Sequence, residues 1–367
     1  MWTKDAEQYI SCSFANGLLS IVSLFDTSIV SLLNRRSRIY LKLETLQPSS
    51  SFKSRGIGYY LQSKLPSHPN AHFYSSSGGN AGLACVYAAR SLNRPATVVV
   101  PLTTKPLMVA KIRAAGASEV IQVGKSWAEA DKHLREVLLL EDADGVYVPP
   151  FDDPAIWTGH STLVDEVHAQ LNGEAPAAII CSCGGGGLFN GVIEGIDKVG
   201  WSDVPVLVLE TKGADSLAAS LAAGFLVTLP GITSQATSLG ATRVAEKAFE
   251  NGRRPNVHSV VLSDAEAGMG CYRLADDERL LVELACGVNV ALCYDGRLEQ
   301  AVGRKIEPQE KVVIVLCGGS NVTVDMILGW KKEFGYVEKS MPVHEAVPSE
   351  VTAPNRGVNG MGSNGKA

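Results

Sequence analysis

The chain has 367 residues, of which 46% are hydrophobic and 19% charged, and this composition is typical of a globular protein with a full hydrophobic core. The net charge of −5 and the absence of a dense Lys/Arg block argue against nucleic acid or an anionic membrane surface as a partner. The eight cysteines are dispersed and none has the C-x2-C spacing of a zinc site, which predicts a reducing, cytoplasmic compartment.

Residues 14–33 form the least typical segment, because they are apolar enough to suggest a membrane span. Asp26 near the middle would cost roughly 2.5–3.5 kcal/mol on insertion into a bilayer. A signal peptide is also disfavoured, since Lys4 is the only preceding positive side chain and Asp5 and Glu7 offset its charge. We therefore expect a partly buried element of a soluble protein, with membrane association as the alternative.

Further along, short runs rich in Val and Ile alternate with longer runs of helical periodicity. The predicted strands are residues 38–43, 96–100, 119–123, 177–181, 204–210 and 312–316. The predicted helices are residues 56–64, 81–92, 106–115, 126–140 and 188–199. This alternation predicts parallel sheets flanked by helices, which is an open α/β fold.

Two sheets account for this order better than one. Residues 54–155 are predicted to form a small substrate-binding domain, and residues 38–53 with 156–345 a larger cofactor-binding domain. Lys53 then lies at the junction, where α/β proteins commonly build their sites. The remaining segments are an atypical N-terminal segment and a tail rich in Pro, Ser, Gly and Asn that is predicted to be disordered, at residues 1–37 and 346–367.

Four loops carry the candidate chemistry, at residues 51–56, 76–80, 184–187 and 317–321. Lys53 follows a predicted strand and precedes a predicted helix, a suitable position for a lysine that bonds to a carbonyl group. On its own Lys53 would more simply be a surface lysine, and Phe52 a packing residue. The other three loops favour the catalytic interpretation.

The glycine run 184–187 connects a predicted strand to a predicted helix. Its backbone N–H groups can turn inward together, and the helix N-terminus adds a partial positive charge, so the run can hold a phosphate. The sequence lacks the Gly-Lys-Ser/Thr ending of a Walker loop. A flexible linker is the alternative, and it fits poorly between a strand and a helix.

The loop 76–80 immediately precedes a predicted helix, whose N-terminus would suit a substrate carboxylate. Capping of that helix by Ser or Asn is the simpler alternative. Cys317 ends a predicted strand, where it is either one more buried thiol or the partner of a cofactor's ring nitrogen.

Five segments, taken together and in this order, resemble the serine/threonine dehydratases, and among them the eukaryotic L-serine dehydratases. The segments are LKLETLQPSSSFKSRGIG, SSSGGNAGLACVYAAR, YVPPFDDPAIWTGHSTLVDEV, CGGGGLFNGV and VIVLCGGSNV. The resemblance covers about residues 38–330. It implies the tryptophan-synthase-β-like, fold type II architecture of pyridoxal phosphate enzymes, in which two open twisted α/β domains hold the cofactor between them, and it implies a homodimer.

The resemblance also implies roles for individual residues. Lys53 would bond to the aldehyde of pyridoxal 5′-phosphate, Phe52 would cover one ring face, Asn80 would bind the 3′-oxygen and Cys317 would meet the ring nitrogen. The implied phosphate ligands are Gly184, Gly185, Gly186 and Gly187. The implied carboxylate ligands for the amino acid substrate are Ser77, Asn80 and Ala81. The implied monovalent-cation site, for example for K⁺, comprises Glu210, Gly184, Ala214, Leu239 and Ala241.

The implied activity is dehydration of L-serine, and of L-threonine, to a keto acid and ammonia, with Lys53 as the base. Gly78 stands where serine racemases carry a serine, which favours dehydration over racemisation. Leu284 and Ser238 depart from the family, whose members usually have Pro and often Ala there. The alternatives are another fold type II lyase, racemase or β-replacement enzyme acting on a different amino acid, and a catalytically weak relative that binds the cofactor.

Overall fold

The protein was analysed as a computed structural model that describes residues 9–15, 18–26, 38–294 and 297–337. The strands are β1 Tyr9–Ala15, β2 Leu18–Asp26, β3 Arg38–Leu43, β4 His72–Ser75, β5 Ala96–Val100, β6 Glu119–Gln122, β7 Gly145–Tyr147, β8 Ala178–Ser182, β9 Val206–Thr211, β10 Val257–Leu262 and β11 Lys311–Leu316. The helices are α1 Lys53–Lys64, α2 Asn80–Ser91, α3 Pro106–Ala114, α4 Trp127–His133, α5 Leu139–Glu141, α6 Pro154–Gln170, α7 Gly187–Lys198, α8 Ser216–Ala223, α9 Glu246–Gly252, α10 Asp264–Glu278, α11 Leu284–Tyr294, α12 Leu298–Val302 and α13 Val324–Phe334.

The strands form a seven-stranded sheet, in the order β1-β2-β3-β11-β8-β9-β10, and a four-stranded sheet, in the order β6-β5-β4-β7. The smaller sheet is parallel throughout, and so is the larger one from β3 to β10. Each sheet has its own hydrophobic core. Ile314 in the larger sheet and Phe73 in the smaller one are completely buried, as expected for parallel strands covered by helices on both faces.

The topology brings the candidate loops together. Each of them follows the carboxyl end of a parallel strand, namely β3, β4, β8 or β11. In open α/β sheets, ligands bind in the crevice beyond these strand ends. The fold therefore directs all four loops toward the region between the two sheets.

The N-terminal segment forms strands where the structure describes it. β1 and β2 are an antiparallel pair, and β2 also pairs antiparallel with β3 through Leu24↔Lys42 and Asp26↔Tyr40. No helix of the described residues is long and apolar enough to cross a membrane. The expectations for residues 27–33 and for the tail 346–367 lie outside the described part of the chain.

Most predicted elements agree with the structure to within one to three residues. The predicted helix 126–140 is instead divided, since a π-helical turn at Leu134–Leu138 separates α4 from α5. Strands β4, β7 and β10 were not predicted. All strands of the smaller sheet lie between residues 72 and 147, while the two-domain division with boundaries at 53/54 and 155/156 stays a prediction.

Candidate active site at the junction of the two sheets

The loop that carries Lys53 is hydrogen-bonded directly to the loop that follows β11. Phe52 N donates to the Cys317 carbonyl at 3.1 Å, and Gly319 N donates to the Ser50 carbonyl at 2.8 Å. These backbone bonds join residues more than 260 positions apart in the sequence. The structure thus brings Lys53 and Cys317, two predicted site residues, to the same place.

The Lys53 amine lies in a partly buried position at the first residue of α1. Its Nζ donates to the Pro150 carbonyl at 2.5 Å, which links it to the turn between β7 and α6. Burial lowers the pKa of Lys53 from 10.5 to about 8, although the nearby Cys317 opposes the shift. A lysine desolvated in this way has a much larger neutral fraction near neutral pH than an exposed one, as a nucleophilic or basic amine requires.

Phe52 and Cys317 lie beside this amine. The Phe52 ring contacts the His160 ring at a centroid distance of 4.9 Å, and His160 Nδ1 accepts a hydrogen bond from Gly56 N at 3.1 Å. The Cys317 thiol is buried and lies 3.6 Å from Ser182 Oγ. His160 therefore supports Phe52 and the first turn of α1, a relation that the sequence did not suggest.

The glycine loop connects β8 to α7 and packs tightly against its surroundings. Gly186 has φ of 96°, a left-handed conformation that favours glycine. A Cβ on Gly185 would lie 2.4 Å from the Phe151 ring. Among the described residues, none of the N–H groups of the four glycines at 184–187 donates to another backbone carbonyl. These free donors at a helix N-terminus fit an anion such as a phosphate.

A hydrogen bond to Asp131 fixes the start of the loop at residues 76–80. Ser76 Oγ donates to Asp131 Oδ1 at 2.6 Å, and the Tyr147 hydroxyl donates to the same oxygen at 2.8 Å. The N-cap of α2 is Gly79, with no side-chain capping hydrogen bond. The capping interpretation of Ser and Asn in this loop is therefore wrong, because Asn80 is already the first helical residue and its side chain points across to the other sheet.

Asn80 contacts two loop residues next to the larger sheet, one directly before α11 and one after β11. Ser320 N donates to Asn80 Oδ1 at 2.9 Å, and Asn80 Nδ2 donates to Glu283 Oε1 at 3.0 Å. Glu283 also accepts hydrogen bonds from the Ser238 hydroxyl and, at 2.7 Å, from Asn321 N. Of the predicted substrate ligands, Ala81 is buried directly after Asn80, and Ser77 Oγ accepts from Gly79 N at 3.3 Å.

Glu283 is a site residue that the sequence reasoning missed. The only signal was a carboxylate within an otherwise apolar run, directly before Leu284. That signal is weak, because the partners of Glu283 lie 38 to 203 positions away.

The predicted cation ligands fall into two neighbouring groups. Glu210 on β9 is fully buried and accepts hydrogen bonds from Leu217 N at 2.9 Å and Ala218 N at 2.8 Å, at the start of α8. Burial raises the pKa of Glu210 from 4.5 to about 8, against the effect of these two N–H groups. Ala214 follows in a tight turn, its N–H donating to Thr211 O at 2.8 Å.

The second group consists of Gly184, Leu239 and Ala241. A Cβ on Gly184 would lie 3.0 Å from Leu239 Cα, and Ala241 N donates to Leu239 O at 2.7 Å. Cys183 lies next to both groups: its thiol donates to the Gly184 carbonyl at 3.6 Å, and burial together with the neighbouring Glu210 carboxylate raises the pKa of that thiol. Ser216 was not predicted, yet its buried Oγ has no hydrogen-bond partner among the described residues. Ser216 directly precedes Leu217, whose N–H binds Glu210, so the buried carboxylate and the unpaired hydroxyl both belong to the start of α8, and oxygen atoms of these kinds fit an oxygen-ligated cation.

A buried network of ion pairs anchors α1 behind Lys53. The Arg55 guanidinium donates to both carboxylate oxygens of Glu44, at 2.7 and 2.8 Å. It also donates to both oxygens of Glu166, at 2.7 and 2.6 Å, while Lys42 forms a second ion pair with Glu166. Two cations and two anions are thereby paired away from water, and they fix the helix whose first residue is Lys53.

The site as a whole fits a phosphate-bearing aldehyde. It offers a lysine of lowered pKa, a set of free N–H groups at the start of α7, and a buried thiol next to the lysine loop. This donor set agrees with an organic cofactor bound through an amine and a phosphate.

Comparisons with known proteins agree with this geometry. Residues 24–318 match the family described as pyridoxal-phosphate dependent enzymes. The chain is 45% identical over 298 residues to the L-serine dehydratase/L-threonine deaminase of Bos taurus, covering 81% of this chain and 90% of that one. It is 44% identical over 306 residues to the L-serine dehydratase of Saccharomyces cerevisiae, covering 79% and 90%.

A solved structure of a fungal L-serine ammonia-lyase from Rhizomucor miehei is also similar, with a TM-score of 0.79 and 36% identity, covering 85% of this chain and 97% of that one. These matches confirm the resemblance and the fold type II architecture that the sequence predicts. The chain belongs to the family of pyridoxal-phosphate-dependent enzymes.

Proposed function

We propose that this protein is a pyridoxal 5′-phosphate-dependent L-serine dehydratase that also accepts L-threonine. Its products would be pyruvate or 2-oxobutanoate, together with ammonia. The observation that carries the proposal is a lysine whose pKa is lowered to about 8 and which lies next to Cys317, in a chain 44–45% identical to relatives named for this activity.

When bound, the cofactor supplies an electron sink for chemistry at the α-carbon of an amino acid. We assign Lys53 as the base that takes the α-proton, because burial leaves much of its amine neutral near pH 8. The N-terminal residues of α2, with Ser77, Asn80 and Ala81, would hold the substrate carboxylate through N–H groups and the helix dipole. The glycines at 184–187 would hold the phosphate and so fix the substrate relative to Lys53.

Dehydration is favoured over racemisation by the space around Gly78. A Cβ at this position would lie 2.7 Å from Thr104 Cγ2, so the loop leaves no room for a side chain there without movement. A racemase needs a second proton donor on the face opposite the first base. In our proposal no side chain at residue 78 supplies it, and loss of the β-hydroxyl follows removal of the α-proton.

We further propose that a monovalent cation such as K⁺ binds at Glu210, with backbone oxygens of Gly184, Ala214, Leu239 and Ala241. The raised pKa of Glu210 supports this, because it means that burial destabilises the ionised carboxylate. A bound cation would supply the opposite charge that the ionised form needs. A homodimer and a cytoplasmic location are also part of the proposal, on the strength of the family resemblance and the dispersed cysteines.

The function is tested by assaying keto-acid release from L-serine, L-threonine and D-serine by the purified holoenzyme. We expect pyruvate from L-serine, 2-oxobutanoate from L-threonine, and neither product from the Lys53→Ala variant. Formation of D-serine, or of a product only when a thiol acceptor is added, would instead indicate a racemase or a β-replacement enzyme.

A further inference from the structure

Asn80 joins the two sheets through both ends of its side-chain amide. It is the first residue of α2, which packs on β4 and β5 of the smaller sheet. Its partners Glu283 and Ser320 lie in loops that directly precede α11 and follow β11, a strand of the larger sheet. Rotating the amide by 180° would place its NH₂ group against the Ser320 N–H and its oxygen against the Glu283 carboxylate. The two contacts therefore select one orientation of the amide.

Glu283 is the centre of this arrangement. Its side chain is buried, with the residue only 4% exposed, and it accepts hydrogen bonds from three separate segments. The donors are Asn80 Nδ2, the Ser238 hydroxyl and Asn321 N. Burying a carboxylate is costly unless hydrogen bonds satisfy it, and bonds to an ionised acceptor are stronger than neutral ones. The three donors thus hold Glu283 in place, and Glu283 in turn orders them.

The loop after β11 is shaped around this carboxylate. Gly319 has φ of 121°, which favours glycine, and a Cβ there would lie 2.3 Å from Glu283 Cδ. A larger residue would push Glu283 away from Asn80. Glycine at this position therefore serves the carboxylate as well as the turn.

We propose that Glu283 is a positioning residue of the active site, which orients the Asn80 amide toward the cofactor's 3′-oxygen. The inference rests on the proposed function. Glu283 accepts one of the two Nδ2 hydrogens of Asn80. The second hydrogen has only a long contact, 3.5 Å, to Ser238 Oγ and is left for a ligand oxygen. Glu283 acts through Asn80 and does not itself bind the reacting atoms.

A matched control is Lys111, which makes another contact between the two parts of the molecule. Its amine, on α3 of the smaller sheet, donates to the Ser320 carbonyl of the larger sheet. This contact crosses between the sheets but does not touch the Asn80 side chain. Lys111→Met therefore removes one contact between the two parts of the molecule and removes neither partner of the Asn80 amide, Ser320 N or Glu283.

The test compares the Glu283→Gln and Lys111→Met holoenzymes with the wild type. Glutamine preserves size but removes the charge, so the bonds from Asn80 and Asn321 end on a neutral oxygen, and the Ser238 hydroxyl must turn to accept from the NH₂ group. We expect Glu283→Gln to lower kcat/KM for L-serine roughly 10- to 100-fold, the loss typical of a hydrogen bond to a charged group. It should also weaken cofactor binding and alter the pH titration of the cofactor's visible absorbance band. Lys111→Met should keep that titration and remain within about threefold of wild-type activity.

If the glutamine variant does not fold, Glu283→Asp tests the positioning role instead, because it keeps the charge on a side chain too short to reach Asn80. The same spectral and kinetic signature is expected. An unchanged band titration and kcat/KM in either folded variant would overturn the proposal, and so would equal losses in Lys111→Met. A wild-type protein that neither binds the cofactor nor releases keto acid would instead overturn the proposed function.

Discussion

The backbone N–H of Phe52 donates a 3.1 Å hydrogen bond to the carbonyl of Cys317. The residue before the proposed cofactor-binding lysine is thus fixed to the residue proposed to meet the ring nitrogen. Because the bond involves only main-chain atoms, the distance between the two loops does not depend on either side chain. The position of Lys53 relative to Cys317 is therefore a property of the fold.

The lowered pKa of Lys53 predicts how fast the apoenzyme takes up its cofactor. Attack on an aldehyde requires the neutral amine, whose fraction rises with pH until the pKa is passed. With a pKa of about 8, the rate constant for appearance of the visible band should rise about fivefold between pH 7 and 8 and level off above about pH 9. Stopped-flow absorbance measures it. A rate that keeps rising toward pH 10.5 would show that burial does not perturb Lys53.

Removing Arg55 should destabilise the protein strongly. Arg55→Met removes the guanidinium from the fully buried Glu44 and leaves Glu166 paired with Lys42. Removing one partner of a buried ion pair costs about 3–5 kcal/mol of unfolding free energy. Arg304→Met is the matched control, because its pair with Glu310 lies at the surface, with both side chains partly exposed, and should contribute less than about 1 kcal/mol. Urea unfolding of both variants measures the difference, and equal losses would contradict a special role for the buried network.

Glu210 should make stability depend on pH and on the cation. Folding raises the pKa of this carboxyl from 4.5 to about 8, so the folded state favours the protonated form and stability falls as pH rises through that range. A bound cation favours the ionised form and should suppress the fall, by about 1–3 kcal/mol at pH 8. Unfolding is to be compared in KCl and in choline chloride of equal ionic strength. Glu210→Gln should abolish the difference, and a difference that persists would place the cation elsewhere.

Introducing a hydroxyl at residue 78 should raise racemase activity only if space is made for it. A Cβ on Gly78 would collide with Thr104 Cγ2, the methyl group that Thr104→Ser removes. We expect the double variant Gly78→Ser/Thr104→Ser to form D-serine from L-serine well above the level of Thr104→Ser alone. Chiral chromatography measures both products. No D-serine above that background would show that residue 78 does not control the outcome.

The sequence predicts the fold well where the signal is local. The strands at β3, β5 and β11 are short, apolar runs that must be buried, and the structure has them within one residue of the prediction. Strand β10 was not predicted, because Val261 and its neighbours at this sheet edge are only partly buried and mix with polar residues. Strand β7 has only three residues, too few for a periodic pattern.

The same difference between local and distant signals decides which site residues can be predicted from the sequence. Loops such as 184–187 follow strand ends and carry unusual composition, so they stand out in the sequence. Glu283, His160 and Ser216 do not, because their significance depends on partners that are distant in the chain or on a buried atom left without one. Ion pairs such as Arg55 with Glu166, 111 positions apart, are likewise a consequence of the tertiary fold alone.

The central claim is that Lys53 forms the covalent bond to the cofactor, and borohydride reduction of the holoenzyme followed by peptide mass spectrometry tests it most directly. We predict one reduced pyridoxyl phosphate adduct per chain, on the peptide that contains Lys53. An adduct on another lysine, or none, would contradict the account.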